Sequence, residues 1–389
     1  MNKIFNKTYD VIIVGGGIAG ISASLSSARY GLKTALIEKQ NILGGLATSG
    51  LISIYFPLCD GKGNQVTFGI AEELLKASLE YSPFELPVPW NGMKLNAKSI
   101  PRYMCQFSPA ALVLAADELL AAANVDVWLD TLVTGVKKDS ANKIIAIDVH
   151  NVSGKGVMNA DKFIDASGDA SLIRLASGNL TLGSNRHGLW FLEAYDKLSS
   201  FDFYENLKLT SLQNDCSCNY SQYSGKAVTS FNRNGWQLLR KYYRKSYADL
   251  KTTKNRHFPI VLPTMPQFRT IAKITGHETI RYDNMNSFVE TSVGICADWR
   301  YPNRVFETPL GALFPKDVSG VIVAGRIIAT DNEAWEVFRV IPAAAMTGEI
   351  AGTIVAVSKT TDIDSQDIDF LRQELAQKGF LFHCSHGIK

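Results

Sequence analysis

Three glycines at fixed spacing, Gly15-x-Gly17-x-x-Gly20, stand directly behind an apolar run and ahead of a stretch of helix formers. The first glycine turns the chain out of a strand, the second lets the backbone approach a pyrophosphate, and the third lets helix and strand pack closely. Ile18 and Ala19 are candidate cofactor contacts at the start of the helix, whose free N–H groups and partial positive charge face phosphates. Glu38 closes the next apolar segment, with Lys39 beside it, where a carboxylate can accept the hydroxyls of an adenosine ribose. That acid disfavours a 2′-phosphate, hence NADP, and leaves NAD and FAD open. A lone glycine triplet is weak evidence; strand, triplet, helix, strand and acid in order make a dinucleotide fingerprint.

Groups that could act on a substrate are fewer. Arg269 and Arg300 suit a carboxylate gripped by paired hydrogen bonds, and His277 suits a proton shuttle near neutrality. These three are the candidate catalytic residues. His187 and His257 carry weaker hints, while His383 and His386 read as tail residues. The run 240–245 interleaves bases with aromatics, as a nucleic-acid surface does, but a solvated amphipathic helix face or lid is the favoured reading. No Ser/His/Asp arrangement and no metal-ligand cluster is legible.

The elements that must position these groups follow from periodicity. Residues 9–14 form a strand buried on both faces, 19–30 a helix with Gly31 just past its end, and 33–37 a second strand. That is a βαβ unit with a parallel sheet. Helices are expected over 71–80 and 109–123, the latter with Ser108 as N-cap and Pro109 at N1. Residues 125–136 and 144–149 alternate like a hairpin, with a turn at 154–156 and a strand at 163–166. From 190 to 257 the apolar spacing is irregular and aromatic and basic residues are dense, which marks a second, substrate-side domain. A buried strand at 321–324 and a helix over 342–357 return to the first.

The 389 residues, 46% hydrophobic and 20% charged, suit two soluble domains sharing a cofactor. A net charge of +3 is too small to argue for nucleic acid or an anionic membrane as partner. The cysteines at 59, 105, 216, 218, 296 and 384 lack paired spacing, and reduced thiols in a cytoplasmic protein are expected. The apolar N-terminal run resembles a signal peptide, yet cleavage near Ala23 would destroy the glycine fingerprint. The most apolar stretch, 341–357, carries Glu349 in its middle, so no spanning helix is expected.

With these residues in hand, the chain resembles the FAD-dependent oxidoreductases of the glutathione-reductase-like superfold, over nearly its whole length outside 190–257. The resemblance implies FAD. It also implies an α/β fold: a Rossmann-type FAD-binding domain with a parallel sheet and a β-hairpin insertion, plus a second α+β substrate domain. The implied boundaries are 1–185 and 305–360 for a discontinuous FAD-binding domain, 186–304 for the substrate side, and 361–389 for a C-terminal helix and tail. The loop Gly44, Gly45, Leu46, Ala47 and Thr48 is similar to the one running past the pyrophosphate toward the flavin. Val133 matches the strand whose backbone touches adenine. The family's Asp-Ala-Thr-Gly-Asp motif corresponds to Asp165 followed by Ala166, Ser167, Gly168 and Asp169, serine replacing threonine. Its closing motif corresponds to Gly325 and Arg326, then Arg339, Val340, Ile341 and Pro342, with Gly348 and Gly352 on the helix that follows.

Pro342 suits the N1 position of that helix, which would aim its positive end at the flavin pyrimidine. Asn332 stands where relatives often carry histidine, which puts any histidine-dependent step in doubt, and no Cys or His is placed for covalent flavin attachment. The implied activity is transfer of a hydride or electron pair between a small organic substrate, a carboxylate being one candidate, and the flavin, with an unnamed electron acceptor. Two alternatives stay open: a thiazole-synthase-like enzyme using NAD, for which Cys59 is the only candidate thiol, and a non-catalytic flavin-binding redox module. Oligomeric state is not legible.

Overall fold

The computed structural model describes residues 5–86, 104–195, 207–213, 219–220, 223–249, 252–362 and 365–384. In chain order the elements used here begin with β1 (Phe5–Val14), α1 (Ile18–Arg29), β2 (Thr34–Ile37), α2 (Ile70–Glu80) and α3 (Pro109–Ala122). They continue with β3 (Asp126–Trp128), β4 (Leu132–Lys138), β5 (Ile144–Asn151), β6 (Gly154–Asp165) and α4 (Ser171–Leu175). Then come β7 (Gly188–Tyr195), β8 (Leu207–Gln213), α5 (Gly225–Ala248), β9 (His257–Val261) and β10 (Ala272–Ile274). The last are β11 (Ser292–Ala297), β12 (Val305–Pro309), β13 (Val321–Val323), α6 (Asn332–Phe338), α7 (Ile341–Val357) and α8 (Ile368–Ala376).

The chain forms two compact units. The first comprises Met1–Gly44, Ser53–Thr181 and Ala272–Lys389, and is built on a seven-stranded sheet ordered β3-β2-β1-β6-β5-β4, with β13 also paired to β6. Strands β3, β2, β1, β6 and β13 run parallel, whereas β4, β5 and β6 form an antiparallel meander. β6 serves both: residues 154–159 pair with β5 and residues 163–165 with β13. The parallel strands are apolar without alternation because both faces are covered, as in β2, where all four residues are buried. Helix α1 is buried from Ile18 to Ser27, and α7 packs along it at a separation only glycine permits. A methyl on Gly348 would lie 2.2 Å from the Ala19 carbonyl oxygen.

The helix over 109–122, with Ser108 Oγ accepting from Ala111 N, follows the expectation. The single strand expected over 125–136 is instead two. Asp130, at φ 49°, turns the chain between β3, on the parallel edge, and β4, in the meander. The expected boundary at 304 also shifts: 272–304 belongs to the first unit, because β11 lies under α7, the α-carbon of Gly294 facing the Met346 side chain. Residues 365–384 pack there too. His383 Nδ1 donates to the Glu307 carboxylate at 2.9 Å and its ring stacks on Phe288, so it is no tail residue; His386 lies outside the described residues.

The second unit, Gly45–Ile52 with Leu182–Ile271, holds a three-stranded antiparallel sheet, β8-β7-β9, covered by α5. In α5 the residues Phe231, Gly235, Leu239 and Tyr243, four apart, form the buried stripe. Arg240, Lys241, Arg244 and Lys245 are exposed, so the basic-aromatic run is an amphipathic helix face. Among the described residues no single helix is long and apolar enough to cross a membrane, and the bent α6–α7 pair is a buried part of the first unit's core. Cys216 and Cys218 lie outside the described residues.

Candidate functional site

Parallel pairing places Ile37, Val14, Asp165 and Val323 level with one another at the C-terminal ends of β2, β1, β6 and β13. The next residues on those four strands are Glu38, Gly15, Ala166 and Ala324, so all four candidate cofactor motifs emerge along one edge of the sheet. That edge is where open α/β sheets bind ligands.

Each glycine of the triplet meets a different neighbour. Gly15 has φ 105°, and a methyl there would lie 2.5 Å from the Ser167 Cα. A methyl on Gly20 would sit 1.8 Å from the Gly15 carbonyl oxygen, whereas one on Gly17 would meet nothing within 4 Å. Protein fills the space beside the first and third glycines and leaves the second facing an opening. Gly17 is also the N-cap of α1 and supplies no side-chain cap, so N–H groups of its first turn face that opening. Gly44, with its N–H on the Gly16 carbonyl at 2.8 Å, lies alongside. Gly45, Leu46 and Ala47 form a short 3-10 turn of the second unit, closed by Thr48 N on the Gly45 carbonyl at 3.2 Å.

Glu38 is 8% exposed, and its carboxylate accepts from Gly16 N at 2.6 Å and from Gln40 N at 2.8 Å. Burial raises its pKa, opposed by these two donors and by Lys39. The acid therefore braces the glycine loop, and each oxygen keeps a lone pair for a ligand hydroxyl. Thr131 N donates to the Glu38 carbonyl at 3.0 Å, which brings the start of β4, and the half-buried Val133 within it, to the same edge.

The loop after β6 is held by Asp165, which is fully buried and accepts from Ser167 Oγ at 2.6 Å, Ser167 N at 3.1 Å and Leu172 N at 2.9 Å. Ser167 Oγ in turn accepts from Ser171 N at 2.9 Å, so the serine meets the hydroxyl requirement of the motif. Burial pushes the Asp165 carboxyl up to about 6 despite those donors. Asp169, 3% exposed, pairs with Lys39 Nζ at 3.0 Å and bonds Ser171 Oγ. Burial pushes its pKa up, but Lys39, Ser171 and Arg174 overbalance that and hold it below the usual carboxylate range.

On the closing side, Arg326 Nε donates to the Gly168 carbonyl at 2.7 Å, and Gly325, at φ 74°, donates its N–H to Thr347 Oγ1 at 2.9 Å. The α-carbon of Gly325 faces Ala19 of α1 and Ala344 of α7, so the N-terminal turns of both helices converge on it. Helix α7 starts at Ile341 after Val340, which supplies no side-chain cap. Pro342 is thus the second residue of the helix rather than the first, a shift that still costs no intrahelical bond. Arg339 is held by Glu336, with Nε at 2.9 Å, and so acts first as the C-cap of α6.

A titration follows from Asp165. Unfolded, its carboxyl has the ordinary value near 3.8; folded, about 6. A raised folded pKa means that protonation favours the fold: the contribution is complete below 3.8 and is lost as pH rises through 6. Relative to Asp165→Asn, which does not titrate, the wild type should lose about 2 kcal/mol of stability between pH 4 and pH 7. Urea unfolding of both proteins at the two pH values measures this, and an unchanged difference would contradict it.

The three substrate-side candidates do not form a set. Arg300, expected on the substrate side, belongs to the first unit and is spent there: Nε and Nη2 lie 3.0 Å from the two oxygens of Asp298, which is 1% exposed. Removing the arginine would strand a buried carboxylate, so it is structural. His277 is exposed, with its backbone N–H on the Phe314 carbonyl at 3.1 Å. Arg269, in the second unit, is half-buried, with Nη1 on the Gln267 carbonyl at 2.9 Å. Cys59, 2% exposed, is not the accessible loop thiol that the NAD alternative requires.

A Ser–His–Glu series that sequence order conceals does exist. Ser246 Oγ lies 2.8 Å from His257 Nδ1, and His257 Nε2 lies 2.8 Å from Glu193, itself fully buried. Tyr243 OH at 2.8 Å and Thr210 Oγ1 at 2.5 Å also donate to Glu193. Ser246 is inside α5, where neighbouring N–H groups are committed to the helix and cannot stabilise an oxyanion. The cluster ties α5 to the sheet of the second unit.

Two uncapped helix N-termini, a glycine facing open space and a braced acid at the edge of a parallel sheet define a dinucleotide-binding fold of Rossmann type. The family model for FAD dependent oxidoreductase matches residues 10–299 and 277–378, and the chain belongs to that family. Its cofactor is FAD, which supplies the redox centre when bound. The chain is 34% identical over 165 residues to digeranylgeranylglycerophospholipid reductase of Thermoplasma acidophilum, a match covering 40% of each protein. It is 33% identical over 163 residues to the protein of that name from Picrophilus torridus, covering 40% of this chain and 39% of the relative. The chain thus aligns with about two fifths of the length of these curated relatives. Among solved structures, p-nitrophenol 4-monooxygenase from Pseudomonas putida superposes with a TM-score of 0.50 at 12% identity, over 91% of this chain and 79% of that one. That likeness shows the fold alone.

Proposed function

We propose that the protein transfers a hydride or electron pair between bound FAD and a small organic substrate, with a carboxylate as one candidate substrate class. The observation that carries this reading is the emergence of four cofactor motifs along one sheet edge. The reductase names of the matched relatives put reduction of the substrate first in the order of tests. Substrate recognition falls to Arg269, since Arg300 is committed to Asp298. A guanidinium can hold both oxygens of a carboxylate in a way an ammonium cannot reproduce.

The test is anaerobic. Purified protein is expected to carry FAD, seen in its visible absorbance. Oxidised enzyme is screened for small acids and alcohols that bleach the flavin. Chemically reduced enzyme is screened for compounds that restore the colour, digeranylgeranylglycerophospholipid among them. Colourless protein that cannot be reconstituted would overturn the reading. With a carboxylate substrate found, Arg269→Lys should raise KM at least tenfold and leave flavin content and spectrum unchanged; a wild-type KM would remove the clamp.

A further inference from the structure

Lys273 is a buried cation with little to balance it. It lies in β10, packed against the turn at Gly325–Ile327, and is 5% exposed. Its Nζ donates to Asn332 Oδ1 at 3.1 Å and sits 4.6 Å from the centre of the Trp335 ring. Trp335 Nε1 donates in turn to the Arg326 carbonyl at 2.6 Å. No carboxylate among the described residues pairs with the ammonium. Asp331, the acid whose charge acts on Lys273, uses one oxygen to cap α6 through Ala334 N and the other to accept from Tyr282 N. Burial pulls the Lys273 pKa down, with Asp331 opposing only in part.

An ammonium has three donors, and here one side-chain oxygen accepts from one of them. A buried charge left unpaired costs several kcal/mol. Such a group is retained at a functional site more often than in a core. Its place supports this: Asn332 and Trp335 occupy the segment between Gly325-Arg326 and Ile341-Pro342, the two halves of the closing cofactor motif. The same segment carries Thr330, 4% exposed, whose hydroxyl has no partner.

The geometry points to Lys273, oriented by Asn332, as an anion-holding residue of the flavin site. It stabilises a negatively charged oxygen, whether of the flavin pyrimidine or of an anionic substrate. This rests on the assignment of FAD to the sheet edge and adds a cationic residue that lies outside every cofactor motif.

Two variants test it on FAD-loaded protein, with flavin content measured first. Lys273→Met removes the charge. Asn332→Asp keeps it but supplies a counter-ion, and should raise the thermal midpoint. If the flavin is the anion, both variants lower its midpoint potential by the equivalent of a tenfold change, about 30 mV for a two-electron couple. If the substrate is the anion, the potential stays and both variants lose at least tenfold in affinity for acetate or benzoate, read from the flavin spectrum. Lys273→Arg should stay within threefold of wild type in either case. A wild-type potential in both variants, with no tenfold loss of acetate or benzoate affinity, overturns the proposal and leaves Lys273 structural. Should Lys273→Met fail to fold, Asn332→Asp decides alone. Wild-type protein without flavin would instead undo the cofactor assignment.

Discussion

Replacing Glu38 with alanine should weaken FAD binding by two to four orders of magnitude. The carboxylate accepts from the backbone N–H groups of Gly16 and Gln40, both at short distance and in a buried setting. Each such bond to a charged acceptor is worth about 1.5–3 kcal/mol, so two lost together release about 3–6 kcal/mol of loop restraint. The loop they restrain is the one whose N–H groups meet the pyrophosphate, so the loss falls on affinity. Ribose hydroxyls held by the remaining lone pairs would add to it. Glu38→Gln should fall nearer to alanine than to wild type, because its NH2 group would face one of the two N–H donors. Flavin fluorescence during titration of the apoprotein measures the effect. An unchanged dissociation constant would mean that the loop holds its shape without the acid.

The second large effect separates two glycines three residues apart. Gly17→Ala should leave the apoprotein as stable as wild type, within about 0.5 kcal/mol, yet lose at least a hundredfold in FAD affinity. Gly17 has φ −74° and ψ −178°, which any L-residue adopts, and no protein atom would touch the added methyl. Only a ligand lying against the backbone could object to it. Gly20→Ala should instead destabilise the apoprotein by about 3 kcal/mol or more, since its methyl would overlap the Gly15 carbonyl oxygen. Thermal midpoints of the two apoproteins, with FAD titrations of both, test the pair. Equal stability losses would place Gly17 against protein and remove the argument for a pyrophosphate there.

Much of the first unit was legible because its demands are local. A strand that must turn tightly, admit a phosphate and then start a packed helix needs glycine at three set positions, whatever the remainder of the chain does. The acid at 38 and the Asp165–Asp169 loop follow the same logic, since each satisfies backbone N–H groups at a strand end. The buried stripe of α5 was present in the spacing of Phe231, Leu239 and Tyr243 too. Gly235 in that stripe, and the bases and aromatics around it, hid the helical period.

The substrate-side residues were not legible, and the reason is physical. Arg300 carries no mark that Asp298, two residues before it, will turn back and engage one edge of its guanidinium with both carboxylate oxygens. His257 and Ser246 give no sign of Glu193, more than fifty residues earlier, which the sheet brings beneath α5. Lys273 reads as an ordinary strand lysine until packing against Trp335 removes its solvent.

The amino-acid order by itself determined the nucleotide-binding edge, because backbone geometry and hydrogen-bond satisfaction restrict which residues can stand at a few neighbouring positions. Which charged side chains are spent on one another, and which is left buried without a counter-ion, only the tertiary structure decided. Charge pairing acts between groups far apart in the chain, and its strength depends on the water that packing excludes.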